Sequence, residues 1–155
     1  MDDMPILTRR RIEAEFARGI YREMAAELGE DTARRILTNA VVKLARQAAA
    51  GFAARAPEGR PSLDHFRSIQ SLWTAEDALR TEVVKSTETE FHFNVVRCRY
   101  AEMYRGMGLG ELGAVLSCNH DGAFCEGYDP RLKLERSQTI MGGAPTCTFR
   151  YTYGE

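Results

Sequence analysis

No stretch of the sequence approaches the ~20 predominantly apolar residues that a membrane-spanning helix needs, so no membrane partner is expected. An excess of one charge is missing too: 21 Lys and Arg stand against 22 Asp and Glu, a formal net charge of −1. Proteins that hold nucleic acid need a clustered cationic surplus. Here the runs Arg9-Arg10-Arg11 and Arg34-Arg35 lie among Glu and Asp on helical stretches, as solvated faces do, and no nucleic-acid partner is expected. The opening Met1-Asp2-Asp3-Met4-Pro5 is acidic and lacks the apolar core of a secretory signal, so the expected setting is cytoplasmic. Cysteines stay reduced there, which leaves Cys98, Cys118, Cys125 and Cys147 free to be core, ligands or nucleophiles. Repeats and low-complexity tracts are absent, and Pro57–Pro61 is too short for an interdomain linker.

What remains has the size and composition of one soluble domain: 155 residues, 44% hydrophobic and 28% charged. A single domain over 1–155 is expected, helical over about 5–82 and sheet-rich over about 83–155. Ile12, Phe16, Ile20 and Met24, with Ala17 and Tyr21 alongside, share one helical face between Ile6 and Leu28. Gly29 then suits a helix C-terminus, and Asp31 or Thr32 a new N-cap. The second helix runs to about Arg55 on a stripe of Leu37, Val41, Leu44, Ala48 and Phe52. Ser62 caps a short third helix with Phe66, Ile69 and Trp73 inward, and Thr74–Asp77 resembles the start of another.

After Val83 the period becomes two, and Thr87–Arg99 reads as a long strand. Leu109, Leu112 and Leu116 suggest a helix before Cys118. Strands over Arg131–Ile140 and Thr146–Tyr153 are joined by the turn Gly142-Gly143-Ala144-Pro145. Helices first and strands later give an α+β fold, an N-terminal helical layer packed on a C-terminal antiparallel sheet. The stripes of the long helices permit a homo-oligomer without specifying one.

Candidate chemistry gathers between Cys118 and Tyr153. Arg136 shares its strand face with Leu132, Leu134 and Ile140, so its guanidinium points toward core or pocket and must be paired there. The partner is either a protein carboxylate, Asp121 above all, or the carboxylate of a substrate held bidentately. Cys147 shares a face with Phe149, Tyr151 and Tyr153, as a small core residue or as a thiol favoured by a nearby cation. Cys118-Asn119-His120-Asp121 places thiol, imidazole and carboxylate within four residues, for a cysteine site with His120 or Asp121 as base. Zinc on Cys118, His120 or Asp121, Cys125 and Cys147 is the lesser alternative, since Cys-x6-Cys is not a standard zinc spacing. Gly108-Leu109-Gly110-Glu111-Leu112-Gly113 has the letters of a dinucleotide fingerprint but no strand feeding into it. A nucleotide site of that kind is not expected.

Four blocks carry a likeness to a known family: Cys118-Asn119-x-Asp121, Gly127-Tyr128-x-Pro130-Arg131, Arg136–Met141 with Gly143, and Cys147-x-Phe149-Arg150-Tyr151. They resemble the L-2-amino-thiazoline-4-carboxylic acid hydrolase family, densely from Ser117 to Tyr151 and by general layout over the N-terminal helices. The resemblance implies a small hydrolase that opens a cyclic amidine or amide ring, a non-peptide carbon–nitrogen bond, on a carboxylate-bearing small molecule. It matches Cys118, Asp121, Arg136, Thr139, Gly143 and Cys147 by position. The catalytic candidates are Cys147, Cys118 and Asp121; the substrate-binding candidates are Arg136, Thr139, Gly143, Asn119 and His120. The chain departs from the family at Thr146 and Thr148, where relatives often carry His and Asp. No cofactor is expected, with zinc or manganese as the minor alternative. A second class of function, a small-molecule binding or sensor module that does no chemistry, stays open beside the enzyme.

Overall fold

The computed structural model describes residues 3–154. Two long helices, α1 (Ile6–Leu28) and α2 (Glu30–Ala54), pack on each other and are separated by Gly29 alone. Gly29 takes φ +87°, a conformation that costs a residue with a Cβ dearly, and its amide closes α1 on the Ala25 carbonyl at 3.0 Å. The new helix starts directly at Glu30, so Gly29 replaces the expected Asp31 or Thr32 as its N-cap.

The apolar pattern of α1 misleads about its packing. Ile12, Phe16 and Ile20 face solvent, Phe16 with 73% of its surface exposed. The helix packs through Ala17 and Tyr21, the flank of the expected face, and through Ala14. On α2, Leu37 is buried with Val41 and Phe52 beside it, whereas Leu44 and Ala48 point outward. Ala45 and Ala49 take their place as contacts. Small residues there let α2 lie against α7 (Asn119–Tyr128). A Cβ on Gly127 would come within 2.4 Å of the Arg46 carbonyl oxygen.

Ser62 caps α3 (Leu63–Ile69), its hydroxyl accepting from the His65 amide at 3.1 Å. A short α4 (Ser71–Thr74) follows. Thr74–Asp77 does not begin a longer helix: Glu76 and Asp77 adopt positive φ and turn the chain into strand β1 (Leu79–Ser86). The helical part therefore ends before 79, earlier than expected. Next come β2 (Glu90–Cys98), α5 (Arg99–Gly106) and the short α6 (Gly110–Gly113), then a wide helical turn over Ala114–Cys118 that runs straight into α7. Cys118–Asp121 is thus helical. Strand β3 is only Leu132–Glu135, and β4 spans Cys147–Tyr153.

The strands form one antiparallel sheet in the order β1-β2-β4-β3. The fold is α+β, as the sequence implied. Phe93, Val95, Cys147, Phe149 and Tyr151 turn inward from the two central strands, to be met by Ala49, Phe66, Phe124 and Tyr128. Ring pairs knit this layer: Phe93 stacks on Phe149 at 4.9 Å and Phe66 meets Tyr151 edge-on at 4.8 Å, each worth about 1 kcal/mol beyond burial. A second cluster, including Tyr104, Leu109, Leu112 and Met141, lies beneath α1.

Candidate functional site

Between sheet, α1 and the start of α7 lies a partly open cavity of about 70 Å³. An adjoining hollow of about 40 Å³ shares Trp73, Leu79, His120, Asp121 and Phe149 with it. A water needs about 10–15 Å³ on this measure, so the larger space suits a ring of about five heavy atoms. Cys118 and Asp121 stand three residues apart and so lie on one side of the helical run, and both line the cavity. Cys147, first residue of β4, reaches it from the sheet.

Arg136 follows β3 and closes one wall. Its Nη1 donates to Asp121 Oδ2 at 2.6 Å and its Nη2 to the Cys118 carbonyl at 3.0 Å. The guanidinium lies 5.1 Å from the centre of the Phe149 ring. Of the two partners the alternation allowed, the protein carboxylate is the one in place. Arg10 of α1 also lines the cavity, and its recorded ion pair is to the half-exposed Glu13 one turn on, at 2.7 Å.

Burial sets the protonation states. It raises Asp121 to about 6 against the pull of Arg136 and Arg10, so the carboxyl ionises just below neutral pH. Desolvation, helped by Arg10, lowers His120 to about 4 and keeps the imidazole neutral. The same effect pushes Cys98 up to about 11 and Cys118 to about 12. Cys147 is raised by burial too, but the Ile140 amide, donating to its sulfur at 3.2 Å, and Arg136 both work the other way. At rest the thiols are protonated.

Not all sequence candidates meet here. Cys118, His120, Asp121, Arg136 and Cys147 do. Thr139 and Gly143 line neither hollow: the Thr139 hydroxyl accepts from the Gly142 amide at 3.0 Å, and Gly143 turns at φ +101°. They shape the segment that carries Ile140 to Cys147. Asn119 does not line the hollows either, and its Nδ2 is buried without a hydrogen-bond partner among the described residues. Cys125 is packed in the core, and among the described residues no three His, Cys, Asp or Glu side chains converge as metal ligands. Thr146 and Thr148 turn away from the cavity and bond Gln138 and Ser137. Arg10, Trp73, Cys98 and Tyr100 are lining residues that sequence reasoning missed. Each comes from a separate element, and no local spacing signals them.

Comparison with solved structures shows where this fold recurs. The phenol-responsive sensory domain of the transcription activator PoxR, solved with phenol, aligns over 87% of this chain and 71% of its own at 13% identity and a TM-score of 0.54. A trafficking protein particle complex subunit 3 from Naegleria fowleri, covalently bound to palmitic acid, aligns over 96% of each chain at 12% identity and a TM-score of 0.55. At such identities the likeness is one of fold. No curated protein sequence matches the chain. The family model for L-2-amino-thiazoline-4-carboxylic acid hydrolase matches residues 9–151, almost the whole length, and the chain belongs to that family.

Proposed function

We propose that this protein hydrolyses a carbon–nitrogen bond in a small cyclic amidine or amide that carries a carboxylate, with Cys147 as nucleophile and Asp121 as proton shuttle. The observation that carries the reading is the convergence of Cys118, Asp121, Arg136 and Cys147 on one ring-sized cavity in a chain of this family. The departures at Thr146 and Thr148 leave that lining untouched, since both side chains are engaged on the other side of the strand.

The chemistry follows from the protonation states. Above about pH 6 Asp121 is ionised and takes the Cys147 proton as the sulfur adds to the amidine carbon. The substrate enters as the amidinium, protonated on its ring nitrogen, so when the tetrahedral adduct expels that nitrogen the proton returned by Asp121 completes a free amine. A water then adds to the thio-bound carbon, giving one proton to Asp121. The carbon–sulfur bond to Cys147 breaks, the sulfur takes the proton from Asp121, the hydroxyl proton passes to solvent, and a carbamoyl product departs. Arg136 keeps Asp121 in place and holds down its pKa, while Arg10 is the cation left to orient the substrate carboxylate. Neutral His120 lines both hollows and can bond the ring.

The test is to incubate the protein with L-2-amino-thiazoline-4-carboxylate and follow the carbamoyl carbon by NMR. Many turnovers per chain are expected from the wild type and few from Asp121→Asn. No ring opening by concentrated wild-type protein would sink the hydrolase.

One observation favours a second reading, a binding module without catalysis. The resting thiols are protonated and the hollows are walled by Trp73, Phe93, Phe124 and Phe149, a lining suited to small ring compounds such as the phenol that accompanies the PoxR domain. A rise in Tm with such ligands and no turnover would select it.

A further inference from the structure

Sharing no lining residue with the thiol cavity, a cleft of about 580 Å³ opens at the surface, and four guanidiniums line it. Arg18 and Arg22 come from α1, Arg34 from α2 and Arg105 from α5. Two carboxylates, Glu30 and Glu111, share the rim, so the lining carries a net positive charge in a chain whose own net charge is −1. Among the described residues, Arg34 is the one of the four within ion-pair distance of a carboxylate, Glu111 at 4.0 Å, and that side chain is 94% exposed.

Arg18 and Arg105 are oriented but not neutralised. Arg18 donates to the Met107 carbonyl at 3.0 Å and Arg105 to the Ile140 carbonyl at 2.6 Å. Carbonyl bonds fix a guanidinium's direction while leaving its charge and other N–H groups for a ligand. Arg22 has no hydrogen bond or ion pair among the described residues. Like charges held together repel, and an anion in the cleft would relieve that cost. Planar guanidinium forks match phosphate oxygens in particular.

The floor favours close approach. Gly108, at φ +72°, has nothing within 4 Å of where a Cβ would stand, and Gly110 meets only the Arg105 side chain at 3.7 Å. Gly113, the third glycine of the run, packs on Met141 instead. Tyr21 and Leu109 supply an apolar wall beside the cations. We propose that this cleft binds a phosphorylated small molecule, its phosphate on the arginines and its organic part against Tyr21, at a site separate from the thiol cavity.

Calorimetric titration at about 50 mM salt decides it, with inorganic pyrophosphate, adenosine diphosphate and adenosine as probes. The expected result is binding of both phosphates with Kd below about 1 mM, tighter for the diphosphate with its ring, and none of adenosine. Arg22→Glu, which breaks no native hydrogen bond, should weaken both phosphates at least ~10-fold with Tm unchanged. Tyr21→Leu, which keeps an apolar side chain in the α1 contact, should remove the advantage of the ring and leave pyrophosphate unaffected. Three outcomes would overturn the site: no heat from either phosphate, equal competition by chloride at matched ionic strength, or Arg22→Glu binding like the wild type. Binding of a single-stranded oligonucleotide far tighter than the diphosphate would replace the small molecule with a nucleic acid. Ring opening plays no part in these readings, so they stand or fall apart from the hydrolase.

Discussion

Replacing Arg136 by methionine should destabilise the protein by about 3 kcal/mol at neutral pH. The substitution keeps an apolar stem against Phe149 but strands Asp121, which loses its 2.6 Å partner. Removing one member of a buried ion pair costs about 3–5 kcal/mol. The Asp121 side chain is 31% exposed, which places the effect at the low end. Asp121→Asn should cost less, about 1–2 kcal/mol, because the amide oxygen and the Cys118 carbonyl still accept from Arg136. The double variant should recover about 2 kcal/mol of the summed penalties. The pH dependence has a definite sign. Asp121 is raised from 3.8 to about 6 in the fold, so its contribution to stability is fully present below about 3.8 and is lost as pH rises through about 6. Without Arg136 the folded pKa climbs further, and the variant's deficit should be largest near pH 8 and shrink toward about pH 5. Urea unfolding of the four proteins at both pH values is the assay. Additive penalties, or a deficit that does not shrink in acid, would refute the pairing argument.

Three further outcomes are expected. Gly127→Ala should lower stability by about 2 kcal/mol, because the added methyl falls 2.6 Å from the Arg46 Cα and helix propensity returns only about 1 kcal/mol; an unchanged Tm would mean α2 and α7 separate freely. Asp129→Asn should cost about 1–2 kcal/mol at neutral pH, since bonds from Arg131 and Tyr153 hold this carboxylate down at about 2. That contribution is present above about 3.8 and lost as pH falls through about 2, so chemical denaturation should find the two proteins converging in strong acid. The kcat/KM for ring opening should rise with pH through about 6 as Asp121 ionises; a flat profile from about pH 5 to 8 would take Asp121 out of the proton path.

The α+β class and the inward side of β4 were legible because period-two alternation on a half-buried strand is a direct imprint of burial; the alternation from Leu132 and Leu134 also pointed to Arg136, although that residue lies just past the end of β3. Strand β1 was not. It lies at the sheet edge with nearly every side chain exposed, so no buried face selected an alternating pattern in Leu79–Ser86. Helix α1 failed in the opposite sense: it packs through Ala14 and Ala17, whose small size leaves little signal, while Ile12, Phe16 and Ile20 dominate the pattern from the solvent side. One or two residues each from α1, α4, β2 and α5 complete the cavity wall. Such convergence belongs to tertiary packing, and no window of sequence holds it.

The turnover number of Cys147→Ser on L-2-amino-thiazoline-4-carboxylate, measured beside its Tm, bears most directly on the assignment of the cavity. Serine matches cysteine closely in shape and keeps the bond from the Ile140 amide, so the fold should survive. The account predicts at least a ~100-fold fall in kcat at an unchanged Tm. Wild-type turnover from a fully folded Cys147→Ser protein would contradict it.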